Sequence, residues 1–171
     1  MARDRLKKLA ESIDSLPEKD GQSIQLAHTI FMLRRQAAVE LYETCAAFTR
    51  EVNALLSSAR LILDPADYGP QAFQENRTNL FQINTQGRIL QIDFSATPEL
   101  TSTEEFRVPY TLEGSVRCFN QQLLEQDLIE EQLLFYCIEK DRNVWRYFDV
   151  RTYRTGKFDQ DYLISLMERL V

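Results

Sequence analysis

The sequence predicts an α+β protein in which a long N-terminal helix, a coiled-coil-like arm, precedes an antiparallel sheet. Residues 22–63 contain neither glycine nor proline and carry apolar residues in a heptad rhythm, which is typical of a long helix. From residue 78 onward, alternating apolar runs follow one another through short connections, which join antiparallel strands. We therefore expect a helical region over residues 1–63, a loop over 64–77 and an antiparallel α+β domain over 78–171.

The composition is that of an ordinary folded domain. A chain of 171 residues with 44% hydrophobic and 27% charged residues is long and apolar enough to bury one core. The charged N-terminus lacks the apolar core that is typical of a signal peptide, and no run of about 18 apolar residues occurs. We therefore expect a cytoplasmic protein that does not enter membranes. Three widely spaced cysteines predict buried, reduced thiols rather than disulfides or a zinc site: Cys45, Cys118 and Cys137.

Residues 3–16 predict a short amphipathic helix that Pro17 ends. An apolar residue recurs at a spacing of three or four positions: Leu6, Leu9, Ile13 and Leu16. A basic amphipathic helix can also lie on a membrane surface. The apolar stripe is narrow and lacks aromatic anchors, however, so we expect it to dock on protein.

The long helix is expected to pair with a second copy of the chain. A straight helix over residues 22–63 would run roughly 60 Å, longer than the roughly 40 Å diameter of a compact chain of this size. We therefore predict a homodimer. The predicted dimerisation residues lie on one heptad seam, broken only at Arg34: Phe31, Leu41, Phe48, Val52 and Leu55. Two alternatives are a kink at residues 34–38 that folds the helix into a hairpin, and a stripe that covers the sheet of its own chain.

The sheet is predicted to contain about five strands. Two of these strands, in which apolar and polar residues alternate, are joined by a Gln86-Gly87 turn. A third strand runs over residues 106–119 with a bulge or bend at Gly114. A short acidic helix follows over residues 120–131. Residues 133–140 are apolar on both faces, which is typical of a central strand.

A turn at residues 141–143 leads from this central strand into the fifth strand. The chain then ends in a helix whose predicted N-cap is Asp159.

A candidate partner-binding face lies on the fifth strand, VWRYFDVRTYRTGKF, residues 144–158. Alternation places four residues of types enriched in interface cores on one side: Trp145, Tyr147, Arg151 and Tyr153. Between residues 142 and 157, five basic side chains accompany the single acid Asp149, in a chain whose net charge is −6.

Two other interpretations of this strand are open. Its aromatic face can lie under a helix while the arginines pair with acids such as Glu130, Glu131 and Glu139. Alternatively, strand 144–155 can bind single-stranded nucleic acid, because aromatic rings stack on bases and cations follow phosphates. The low isoelectric point, about 4.9, opposes polyanion binding outside this patch.

The sequence contains no recognisable catalytic, cofactor or metal motif. His28 is the only histidine, and the five glycines occur singly, so phosphate-binding glycine loops are absent. We expect neither an enzyme nor a cofactor nor a metal ion.

The order of elements over residues 22–171 resembles that of the small dimeric chaperones of bacterial type III secretion. This resemblance implies a holder of an extended segment of another protein. The predicted function is a non-enzymatic protein–protein interaction module, adaptor or chaperone-like, because the long helix exceeds the length of its domain and the chain lacks catalytic groups.

Overall fold

The strands form one antiparallel sheet in which neighbours in sequence are also neighbours in space. The structure, a computed structural model, describes residues 1–101, 108–121 and 130–171. The predicted α+β class with a long N-terminal helix is confirmed, but the sheet has seven strands among the described residues instead of about five. They are β1 (Ile62–Asp64), β2 (Asn79–Thr85), β3 (Arg88–Thr101), β4 (Tyr110–Asn120), β5 (Glu130–Cys137), β6 (Val144–Asp149) and β7 (Arg154–Lys157).

The described residues also contain three α-helices and one short 3-10 helix. They are α1 (Ala2–Asp14), α2 (Leu16–Leu55), α3 (Gln160–Leu170) and the 3-10 helix Pro70–Ala72. The predicted N-cap of α3 is confirmed, because Asp159 Oδ1 accepts a hydrogen bond from Tyr162 N at 2.9 Å. The predicted helix over residues 120–131 falls mainly on residues 122–129, which lie outside the described part of the chain.

Pro17 opens the long helix instead of closing the short one. Proline is tolerated in the first helical turn because its missing N–H has no intrahelical partner there, and α2 begins at Leu16. Ser15, between α1 and α2, keeps a right-handed helical backbone with φ −85° and ψ −10°. Its N–H donates to Glu11 O at 3.2 Å, and its carbonyl accepts from Lys19 N at 3.1 Å. Helical hydrogen bonding therefore crosses the junction.

An asparagine side chain marks the end of α2, which stops at Leu55 rather than at the predicted residue 63. Asn53 Nδ2 donates to Leu61 O at 2.9 Å, and Leu61 N donates to Asn53 Oδ1 at 2.7 Å. These two bonds hold the returning chain, which then enters β1. Since α2 passes through residues 34–38 without interruption, the alternative of a hairpin at that point is wrong.

The hairpin between β2 and β3 has the predicted turn. Gln86 and Gly87 have positive φ values of 49° and 79°, as a tight two-residue hairpin requires. The predicted irregularity at Gly114 is wrong, because the register shift lies between Tyr110 and Leu112. Gly114 instead allows a close approach of strands: a Cβ there would lie 1.8 Å from a backbone oxygen of β3.

The main core lies on the sheet face that α2 and α3 cover. The sheet contributes Phe81, Ile83, Leu90, Ile92, Phe94, Leu112, Val116, Leu134, Tyr136 and Trp145. The helices contribute Ala37, Ala38, Leu41, Cys45, Phe48, Leu163 and Leu166. On the other face, a smaller buried cluster contains Tyr110, Phe135, Cys137 and Phe148. The prediction that residues 133–140 contain a strand buried on both faces is therefore confirmed for β5.

The chain divides into two compact units, Met1–Leu33 and Arg34–Val171, with the boundary inside α2. The first unit consists of α1 and the first part of α2. The second contains the rest of α2, the sheet and α3. Within the described residues, no helix combines the length and apolar character needed to cross a lipid bilayer.

Candidate interaction surfaces

The N-terminal unit carries an exposed apolar stripe. No residue of α1 is buried. Leu6, Leu9, Ile13 and Leu16 are 65%, 56%, 53% and 49% exposed. They recur at three- and four-residue spacing and therefore share one side of the helical path through Ser15. Large apolar side chains in such a continuous row are typical of an interaction surface rather than of scattered exposed residues.

The stripe continues into α2 and then becomes buried. Ile24 is 71% exposed, whereas Arg34 is the first residue of α2 that is buried. From there, Ala38, Leu41 and Cys45 extend the same three- and four-residue spacing into the core, with each side chain 0% exposed. The apolar residues of the stripe are therefore exposed in the first unit and buried in the second.

The predicted dimerisation residues do not share one free surface. Leu41 and Phe48 are buried within their own chain, Phe31 and Val52 are half-buried, and Leu55 is exposed. The seam of α2 that suggested a partner helix packs on the sheet after residue 34. For residues 34–48, the structure therefore matches the alternative in which the apolar stripe covers the sheet of its own chain.

Trp145, from the predicted partner-binding face, anchors α2 to the sheet. Its side chain is 4% exposed, and its Nε1 donates a hydrogen bond to Ala37 O at 2.7 Å. The ring also meets Phe94 edge-on, with centroids 5.4 Å apart. Tyr147 stacks on Tyr162 of α3 with centroids 4.0 Å apart and the planes inclined by 7°. These two rings are therefore engaged by the helices of the same chain.

The other two predicted partner residues lie in a turn, because the predicted fifth strand is a hairpin of β6 and β7. Asp149 Oδ1 accepts a hydrogen bond from Arg151 N at 2.9 Å, and Tyr153 has a positive φ of 56°. Tyr153 is 76% exposed. The face predicted from alternation is consequently divided between a covered strand and an exposed turn.

Arginines of β6 and of the turn that follows it form ion pairs with acidic side chains. Arg146 Nε donates to Glu139 Oε1 at 2.5 Å, and the hydrogen bond from Arg146 lowers the pKa of the Glu139 carboxyl. Arg151 lies 3.8 Å from Glu130. The alternative with an aromatic face under a helix and arginines paired with acids matches this arrangement.

Arg34 has a role that sequence reasoning did not find. Its guanidinium is buried, donates from Nε to Thr111 Oγ1 at 2.9 Å and from Nη2 to Thr97 O at 2.6 Å, and pairs with Glu75. In the heptad pattern, Arg34 is only the residue that interrupts the apolar seam. Its partners lie far away in sequence, so no local pattern could have identified them.

A groove of about 920 Å³ lies between α2, the β5–β6 turn and the start of α3. Its charged lining is evenly mixed, with basic Lys140, Arg142, Arg146 and Lys157 and acidic Glu43, Glu139, Asp141 and Asp159. Because the two signs balance, the groove favours neither an anion nor a cation.

The three cysteine thiols are not activated as nucleophiles. Burial raises the pKa of the thiols of Cys45, Cys118 and Cys137 to about 12, which keeps them protonated at neutral pH. All three are free and buried, as predicted.

His28 is exposed on the N-terminal unit. Within residues 1–101, 108–121 and 130–171, no group of three or more histidine, cysteine or acidic side chains is placed to hold a metal ion.

Comparison with known proteins gives no relative: no protein-family model, curated protein or solved structure matches the chain.

Proposed function

We propose that this protein is a non-enzymatic protein–protein interaction module, adaptor or chaperone-like, whose N-terminal helical unit is its interaction element. The observation that carries this proposal is the exposed apolar stripe of Leu6, Leu9, Ile13 and Leu16 on a unit without buried residues in α1. Covering water-exposed apolar side chains of this size with a partner lowers the free energy.

A protein partner suits this stripe better than the other classes of ligand. Over residues 2–20 of the helical path, five basic and five acidic side chains balance to a net charge of zero, so the path as a whole does not attract nucleic acid or anionic lipid headgroups. The stripe also carries no tryptophan or phenylalanine to enter the membrane interface. On the aromatic face of the strand expected to bind nucleic acid, Trp145 and Tyr147 are covered by helices of the same chain, and only Tyr153 is exposed.

Photo-crosslinking in cells tests the proposal. The photoreactive amino acid p-benzoylphenylalanine is placed at Leu9 in the full-length chain, and at Glu11 as a matched control. Glu11 lies on the opposite side of α1, since residues two apart are separated by about 200° around a helix. We expect protein adducts from Leu9 and few from Glu11. Adducts with only lipid or nucleic acid, or equal labelling at the two positions, would overturn the proposal.

A further inference from the structure

We infer that the partner of the N-terminal stripe is a second copy of this chain, bound antiparallel, with Leu6 opposite Leu16 and Leu9 opposite Ile13. This inference rests on the proposed function, because it names the protein that covers the same stripe. It is carried by two features of the N-terminal unit, the spacing of its apolar residues and the distribution of its charges.

The spacing of the stripe is self-complementary in an antiparallel pair. The stripe is symmetric about Glu11: Leu9 and Ile13 are each two positions from it, and Leu6 and Leu16 each five. A two-fold axis on the stripe side of the helix, at the level of Glu11, therefore places apolar residues opposite apolar residues along the whole stripe, as an isologous interface requires. The helical backbone through Ser15 allows the stripe to continue from α1 into α2.

The charges select the same arrangement. Residues 2–8 contain four basic side chains and one acid, a net charge of +3, whereas residues 11–20 contain four acids and one lysine, a net charge of −3. An antiparallel pair centred near Glu11 places each basic segment beside the acidic segment of the other copy. A parallel pair places like charges together, which is unfavourable.

The charges also fix the register. A longer antiparallel overlap that matched Leu9 with Ile24 would be centred between residues 16 and 17. It would place the acidic segments, residues 11–20, beside each other and Asp20 opposite Ile13. The shorter overlap instead places Asp20 opposite Ala2, at the edge of the interface. Ile24 then lies beyond the paired region.

Disulfide trapping in the full-length chain tests orientation and register. Ala2→Cys and Asp20→Cys lie opposite each other in the proposed pair, whereas two copies of either position are about 27 Å apart along the axis, too far for a disulfide. The native cysteines are buried and do not compete. Differently tagged chains, each with one introduced cysteine, are mixed, oxidised and analysed by intact mass, with Ile24→Cys as the matched control for register.

We expect the disulfide between Ala2→Cys and Asp20→Cys to dominate, and Ile24→Cys to stay unlinked. Homodisulfides at either end would overturn the antiparallel orientation, and efficient linkage of Ile24→Cys to itself or to Leu9→Cys would overturn the register. If the chain is monomeric and none of these disulfides forms, the inference that the partner is a second copy is overturned. In that case an adduct of p-benzoylphenylalanine at Leu9 with another protein would leave the proposed function standing, and no protein adduct would overturn both.

Charge reversal gives an independent readout that needs no cysteine. Lys7→Glu with Lys8→Glu changes the basic segment to a net charge of −1, so an antiparallel dimer should weaken roughly tenfold or more at low salt. A parallel dimer should become tighter, because repulsion between two segments of charge +3 is relieved. High salt should reduce the difference between variant and parent. An unchanged or tighter dimer at low salt would overturn the antiparallel pairing.

Discussion

Replacing Trp145 tests whether its side chain anchors α2 to the sheet. The indole Nε1 donates to the buried Ala37 carbonyl at 2.7 Å, and the ring is 4% exposed. Trp145→Phe keeps an aromatic ring but removes the hydrogen bond, which costs about 1 kcal/mol. The smaller ring leaves a cavity that costs about 1 kcal/mol more. The expected total for Trp145→Phe is thus about 2 kcal/mol, and Trp145→Ala should cost about 4 kcal/mol.

Equilibrium urea unfolding measures these losses. Trp145 is the only tryptophan, so its fluorescence disappears in the variants and the transition must be followed by far-ultraviolet circular dichroism. The matched control is Tyr153→Ala, because Tyr153 is 76% exposed in the neighbouring turn and its loss should change the free energy of unfolding by less than about 0.5 kcal/mol. If Trp145→Phe and Trp145→Ala left stability unchanged, Trp145 would not anchor α2, and its assignment to a partner-binding face would be favoured again.

Three further substitutions in the second unit, with Gly21→Ala in the first unit as a control, test packing and hydrogen bonding by urea unfolding. Gly114→Ala should destabilise by about 3 kcal/mol, because its Cβ would lie 1.8 Å from a backbone oxygen of β3, whereas Gly21→Ala, with open space around it in α2, should stabilise by about 0.5 kcal/mol; equal effects would contradict the close strand approach. Arg34→Met should cost about 3 kcal/mol by leaving Glu75 without its buried partner, and a neutral result would show that the network contributes nothing. Burial alone would raise the pKa of Asp149, but hydrogen bonds within its turn hold that pKa below the usual 3.8. Asp149→Asn should therefore cost about 1 kcal/mol at pH 7, a difference that shrinks as the pH falls below about 4, whereas a pH-independent difference would exclude the carboxylate as its source.

Local chemistry made several elements predictable from the sequence. The Gln86-Gly87 turn followed from residues that tolerate positive φ, and the start of α3 followed from the capping side chain of Asp159. In each case, the residues that decide the structure are neighbours in the chain. The same holds for the helix that carries Leu6 and Leu9, since their spacing predicted an amphipathic helix where the structure has α1.

Elements that depend on distant residues or on unusual turns were not predictable. The turn between β6 and β7 contains neither glycine nor proline and depends on the Asp149 side chain, so the sequence pattern gives no sign that the strand ends there. The end of α2 depends on the bonds between Asn53 and Leu61, while apolar residues continue the heptad beyond it. A heptad seam also cannot distinguish a partner helix from a sheet of the same chain, which is why Leu41 and Phe48 were assigned to a dimer.

The mass of the full-length chain in solution, measured by light scattering during size-exclusion chromatography, tests the central claim most directly. The chain has a mass of 20.0 kDa. We predict a dimer of twice that mass, which Leu9→Asp with Ile13→Asp converts to a folded monomer and which Ile24→Asp leaves intact. A parent protein that is monomeric at concentrations of about 100 μM, or a dimer that survives Leu9→Asp with Ile13→Asp, would contradict self-association through the N-terminal stripe.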